Sequence, residues 1–153
     1  MIFLKRLFVV FLLLSVLLNL VSCGEKMSAE EIMTEFMKAY SLDGVLYSSG
    51  MGPSDDGYID EKLFRSIYRF EGKLPPDFSI FLGAHIDYPS ECGVFGAEDA
   101  ELREELVEMC LERIRTVAGN SDKGVVLRCD SFIFYAILPD LERAERLFRR
   151  IIG

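Results

Sequence analysis

The sequence predicts an α+β domain: a mainly antiparallel sheet of about four strands with helices packed on one face. Three observations carry that prediction. Apolar residues alternate with others from Phe78 to Ile86 and again from Val125 to Leu138, which is the period of a strand. Each of these regions is followed by an amphipathic stretch at helical spacing, from Glu98 to Ala118 and from Asp140 to Ile152. The order is therefore two strand-strand-helix units after a helical N-terminal segment, and hairpins followed by amphipathic helices build α+β folds.

The chain opens on a leader. Lys5 and Arg6 precede an apolar run from Leu7 to Val21, interrupted only by Ser15 and Asn19. Spanning a bilayer takes ~20 apolar residues, so this shorter run suits a secretory signal. Ser22 then precedes Cys23, and Leu20-Val21-Ser22-Cys23 resembles the bacterial lipobox. That resemblance implies a signal peptide over 1–22, a lipid on Cys23, a tether over 23–27 and one domain over 28–153. An uncleaved N-terminal anchor is the alternative. Either way Lys5 and Arg6 stay inside, which places the domain on the outer face of the cytoplasmic membrane. Two acyl chains suffice for stable attachment.

The whole chain of 153 residues carries 17 basic and 25 acidic residues, a net charge of −8. Losing the leader removes Lys5 and Arg6, which leaves 131 residues at −10. That is long enough for one domain with a real core. The positive mean hydropathy of +0.23 is inflated by the leader. An acidic domain is repelled by nucleic acid and by anionic headgroups, so a nucleic-acid role is excluded and the lipid must do the tethering. After Cys23 the cysteines are Cys92, Cys110 and Cys129. An odd number leaves at least one unpaired within the molecule. No spacing matches a zinc motif, and no cofactor is expected. Cys110 and Cys129 sit on apolar stripes and read as buried core residues, while a disulfide involving Cys92 stays open.

In order along the domain, Ser28 and Glu31 form a capping box for a helix to about Tyr40, with Ile32, Met33, Phe36 and Met37 on its apolar side. Ser41 to Gly57 is rich in glycine and serine and reads as a loop. Its aspartates lack the spacing of a calcium loop. Asp60 caps a second short helix carrying Leu63, Phe64, Ile67 and Tyr68. Pro75-Pro76 ends it. A strand over Phe78 to Ile86, a turn through Pro89 and a second strand over Cys92 to Ala97 follow. Acidic residues from Glu98 to Glu101 suit the start of the long helix, and Gly119-Asn120 ends it. A two-residue turn at Asp130-Ser131 then pairs Cys129 with Phe132, Leu127 with Phe134 and Val125 with Ala136, which gathers their side chains on one face. The last helix buries Leu141, Ala144, Leu147, Phe148, Ile151 and Ile152.

These elements resemble a known family. A lipobox, a helical start, the strand motif Glu91-Cys92-Gly93-Val94-Phe95, a long helix from Glu98, the Val125–Leu138 hairpin and a terminal helix are similar to the Gram-positive lipoproteins labelled domain of unknown function 4358. The resemblance implies a secreted, lipid-anchored domain and brings no catalytic residues.

The stretch from His85 to Cys92 gathers the one histidine, Asp87, Glu91 and a cysteine around a turn. A thiol enzyme would need Cys92 and His85 in contact and the thiol activated. The bland reading is a solvent-facing histidine beside a proline turn. Arg143, Arg146 and Arg150 on the terminal helix form a candidate partner-facing patch on an otherwise acidic domain. The leading expectation is a non-catalytic binding or interaction module at the cell envelope, attached to the membrane through Cys23 and free to meet another envelope protein. The alternatives are an assembly accessory of such a protein and, behind it, the thiol enzyme.

Overall fold

The computed structural model describes residues 26–83 and 88–153. Cys23, His85 and Asp87 lie outside the described residues, as does the end of the predicted strand after Gly83.

Each helix begins where a side chain satisfies the backbone N–H groups that have no partner inside the helix. In α1 (Ala29–Tyr40) the capping box forms as expected. Glu31 N–H donates to Ser28 Oγ at 3.2 Å, and Ser28 N–H donates to Glu31 Oε2 at 2.8 Å. Asp60 caps α2 (Glu61–Tyr68), Asp99 caps α3 (Ala100–Ala118) and Asp140 caps α4 (Leu141–Ile152). A left-handed residue ends the first three of these: Ser41, Arg69 and Gly119.

Strands β1 (Gly44–Ser48), β2 (Asp77–Gly83), β3 (Glu91–Gly96), β4 (Val125–Cys129) and β5 (Phe132–Ile137) form one antiparallel sheet in the order β1-β2-β3-β5-β4. The α+β class is as expected, and so is the β4–β5 register, with Cys129 opposite Phe132, Leu127 opposite Phe134 and Val125 opposite Ala136. Asp130 turns the hairpin at φ 53°, a left-handed conformation that aspartate tolerates.

Two details differ from the expectation. The segment read as loop from Ser41 to Gly57 contains β1, which pairs with β2 from Gly44 opposite Gly83 to Ser48 opposite Ser79. Only Val45, Leu46 and Tyr47 have strand character there, and glycines and serines around them hide so short an edge strand. The second difference concerns the layers. Helices cover both faces of the sheet, not one. On one face α1 and α4 pack Ile32, Phe36 and Phe148 on Phe81, Val94 and Phe134. On the other, α2 and α3 pack Phe64, Leu106 and Ile114 on Ile80, Phe95 and Ile133. The reason is in β3 and β5, which are buried at every position. A strand apolar on both sides must be covered on both sides.

Cys110 is fully buried, whereas Cys129 is only half-buried because β4 is the sheet's edge. Cys92, Cys110 and Cys129 are free thiols. The α1–α4 pair is locked at one end by Tyr40, whose hydroxyl accepts from Asp140 N–H at 3.0 Å and donates to Asp140 O at 3.2 Å. Phe134 links both helices to the sheet, with ring centroids 5.0 Å from Phe36 and 4.3 Å from Phe148.

Gly93 shows how tightly the opposite layer is filled. It pairs with Tyr135, and a Cβ placed on it would lie 2.6 Å from that ring and 3.0 Å from Phe95. Gly93→Val should therefore cost roughly 1–3 kcal/mol through overpacking. The check is a fall in the urea midpoint with an unchanged slope.

Candidate functional site

The His85–Cys92 stretch is the natural starting point, and the strand geometry divides it. Glu91 and Cys92 are neighbours in β3, so their side chains leave opposite faces of the sheet. Cys92 points under α1, fully buried, with its thiol 3.6 Å from Met33 Sδ. Burial pushes that thiol well above its usual range, and the charge of Glu91 adds to the shift. An activated nucleophile needs the opposite change.

Glu91 points into the α2–α3 layer and is 5% exposed. Its carboxylate is met from two sides. Arg113 of α3 forks onto it, Nε to Oε1 at 2.7 Å and Nη2 to Oε2 at 2.7 Å. The Tyr135 hydroxyl donates to Oε1, and the Tyr68 hydroxyl lies 2.8 Å from that of Tyr135. Arg113 Nη1 also donates to Ile67 O at 3.0 Å, and its guanidinium lies 5.7 Å from the Tyr68 ring centroid. Burial works against the charge on Arg113, but the hydrogen bonds and charge of Glu91 outweigh it and hold the guanidinium protonated more firmly than usual. Burial drives both tyrosines well above their ordinary range. A carboxylate bound on both oxygens in this way braces the structure around it.

Sequence reading placed Glu91 beside the turn and missed its partners. Arg113 lies one position before the buried Ile114, and Tyr135 sits in the middle of an apolar strand. The available signal was a lone glutamate opening a strand that is otherwise apolar, because such a charge requires a cation.

The arginines expected to form a patch are partly committed. Arg143 stacks over Tyr40 at 4.7 Å and donates to Ala39 O at 3.2 Å, so it braces α1 against α4. Arg146 pairs with Glu142 at 3.4 Å, an exposed i,i+4 bridge. Arg150 is exposed and makes no ion pair among the described residues.

Two open grooves flank the α3 side. One, of about 660 Å³, runs between the Phe70–Gly72 segment and α3, with Phe70 and Met109 below and Glu71, Glu105 and Glu108 around it. The other, of about 600 Å³, is lined by Tyr88, Pro89, Val117, Lys123, Ile137 and Pro139. The first is acidic and the second mainly apolar.

Mutant stabilities and the pH response check this reading. Glu91→Ala strands a largely buried guanidinium and should cost about 3 kcal/mol. Tyr135→Phe should cost about 1–3 kcal/mol, and a cycle pairing Glu91→Ala with Arg113→Ala should be strongly non-additive. The pH response follows from the raised groups. Cys92, Cys110, Tyr68 and Tyr135 all have raised values in the folded chain. Their contribution to stability is complete below the unfolded values of about 8.5 and 10 and is lost as pH rises through the folded ones. Denaturant midpoints should fall on the alkaline side, and native Cys92 should resist alkylation until the chain unfolds. No protein-family model, curated protein or solved structure matches this chain, so its function is argued from these residues alone.

Proposed function

We propose that this chain is a lipid-anchored extracytoplasmic lipoprotein whose domain is a non-catalytic binding or interaction module at the cell envelope. The observation that carries the reading is the junction of leader and domain. Leu20-Val21-Ser22-Cys23 stands three residues before Lys26, and Ser28 already caps the first helix. Three residues of chain reach about 10 Å at most. A lipid on Cys23 thus holds a packed domain close against the bilayer, with no long stalk between them.

The choice of binding over turnover rests on what the reactive groups do. Cys92 is used as packing beneath α1, and Glu91 is used as a brace beneath α2 and α3. What remains for a partner is surface: the two grooves and the outer sides of the helices. The resemblance to lipoproteins of the domain of unknown function 4358 belongs to the same proposal.

Intact-mass analysis of membrane-extracted protein tests the anchor. The expected species begins at Cys23 and carries lipid mass, and Cys23→Ala should release the domain from the membrane. A mature chain that still begins at Met1 overturns the anchor. For the second half of the reading, Cys92→Ala and His85→Ala should leave the cellular role intact. If Cys92→Ala abolishes that role in a folded protein, and the thiol titrates well below ~8.5, the module reading gives way to a thiol enzyme.

A further inference from the structure

The two edges of the sheet are finished differently. Beside β1 the chain folds back on itself. Ser48 N–H donates to Gly57 O at 3.4 Å. Gly57 lies so close to Leu46 that a Cβ on it would come within 2.2 Å of the Leu46 carbonyl oxygen. Nothing comparable covers β4 among the described residues.

The unpaired groups of β4 can be identified from hydrogen-bond parity. Ala97 N–H donates to Ser131 O at 2.9 Å, on the side of β3. Backbone groups alternate sides along a strand, so Ile133, Tyr135 and Ile137 also bond towards β3, and Phe132, Phe134 and Ala136 bond towards β4. Their partners Cys129, Leu127 and Val125 face inwards. That leaves the N–H and C=O groups of Val126 and Arg128 directed outwards, and no hydrogen bond reaches them among the described residues. The edge is also apolar on its flanks. Val125, Val126 and Cys129 are half-buried, as are Leu147, Ile151 and Ile152 of α4 beside them.

We infer that β4 pairs antiparallel with β4 of a second copy of this chain, about a two-fold axis at Leu127, joining the two sheets into one. The register follows from the parity. Two strands exchange both bonds only between residues whose groups point outwards on each. About Leu127, Val126 of each copy meets Arg128 of the other, which satisfies both N–H and both C=O groups on each strand. Leu127 faces its own mate, and Cys129 faces Val125. An edge that complements itself is what a closed two-fold contact requires.

The charges agree with a second copy as occupant. Arg128 is already paired with Glu104, Nη1 donating to Oε1 and Nη2 to Oε2, so the edge is locally neutral on an acidic chain, and two copies meet there without like charges opposed. The axis stands perpendicular to the sheet. Lys26 therefore stands at equal height in both copies, and a single bilayer can receive both. The pairing itself does not depend on lipidation.

The experiment uses the full-length chain in nonionic detergent. Light scattering on the eluting protein should report twice the protein mass of one chain. Val125→Cys should give a covalent dimer with copper phenanthroline as oxidant, linking the introduced thiol to native Cys129 of the other copy. These residues form a non-hydrogen-bonded pair with Cα atoms about 4.5 Å apart, within disulfide reach. Val126→Pro removes an outward N–H and no β4–β5 bond, so it should halve the mass while circular dichroism keeps the folded spectrum. If that variant fails to fold, the crosslink alone decides. A monomer at every concentration, a link through other positions, a link to a different protein, or a folded Val126→Pro chain that stays dimeric would each overturn the inference.

Discussion

The pairing of Glu91 with Arg113 is the constraint on which the α2–α3 side of this fold depends. A carboxylate in a strand buried on both faces loses its water, and in a low-dielectric interior only close, well-directed partners offset that loss. The guanidinium fork answers both oxygens, and the Tyr135 hydroxyl adds a third bond. The same guanidinium reaches Ile67 O at the end of α2. One side chain of α3 thereby ties the first residue of β3 to the last turn of α2. Slipping α3 by a turn would strand both charges, and slipping α2 would take Ile67 O from the guanidinium. A buried pair of this kind adds little net stability over apolar packing of the same volume. What it supplies here is position, because β3, β5, α2 and α3 each contribute a group to the one network.

Covering the sheet on both sides has a chemical consequence. Residues that could react are drawn into the layers that hold the sheet. Cys92 fits beneath α1 because a thiol is small and its sulfur suits the thioether of Met33. Gly93 leaves room on the opposite face for the ring of Tyr135, which stacks on Phe95 with centroids 6.0 Å apart. Glu91 and Cys92 read in the sequence as part of a reactive cluster around a turn. In the fold each answers a packing requirement. The surface is then left to do whatever recognition the protein performs.

Much of this was legible in the sequence, and the parts that were not share a cause. Local signals read well. Ser28 with Glu31, Asp60, Asp99 and Asp140 act on their own first turns, so the helix starts follow from a few residues. The β4–β5 register also reads well, since a two-residue turn and alternating apolar positions leave one pairing. Non-local facts were hidden. The partner of β1 lies more than thirty residues away in β2, and no local pattern announces it. The second helical layer did leave a trace, because Phe132 to Ile137 is apolar at all six positions, the mark of burial on both sides. The candidate site divides at Glu91 and Cys92, because neighbours in a strand project to opposite faces of the sheet.

Helices α3 and α4, on opposite faces of the sheet, differ in charge, although α1 beside α4 carries three glutamates against one lysine. Between Ala100 and Ala118, α3 carries five glutamates against three arginines, whereas α4 carries four arginines against two glutamates. The chain enters the domain on the α1–α4 side, since Lys26 lies over Phe132 at 5.5 Å and α1 follows at once. On the proposed lipid anchor, that side is held near the headgroups. Anionic lipid attracts Arg150 there and repels Glu30, Glu31 and Glu35 of α1, each within about a Debye length, ~10 Å at 0.1 M salt, which leaves the tether to set the approach. A two-fold axis normal to the sheet at β4 keeps Lys26 of both copies on the same side of the joined sheet, so one bilayer can hold both anchors. The acidic groove beside α3 opens on the face of the sheet opposite the tether.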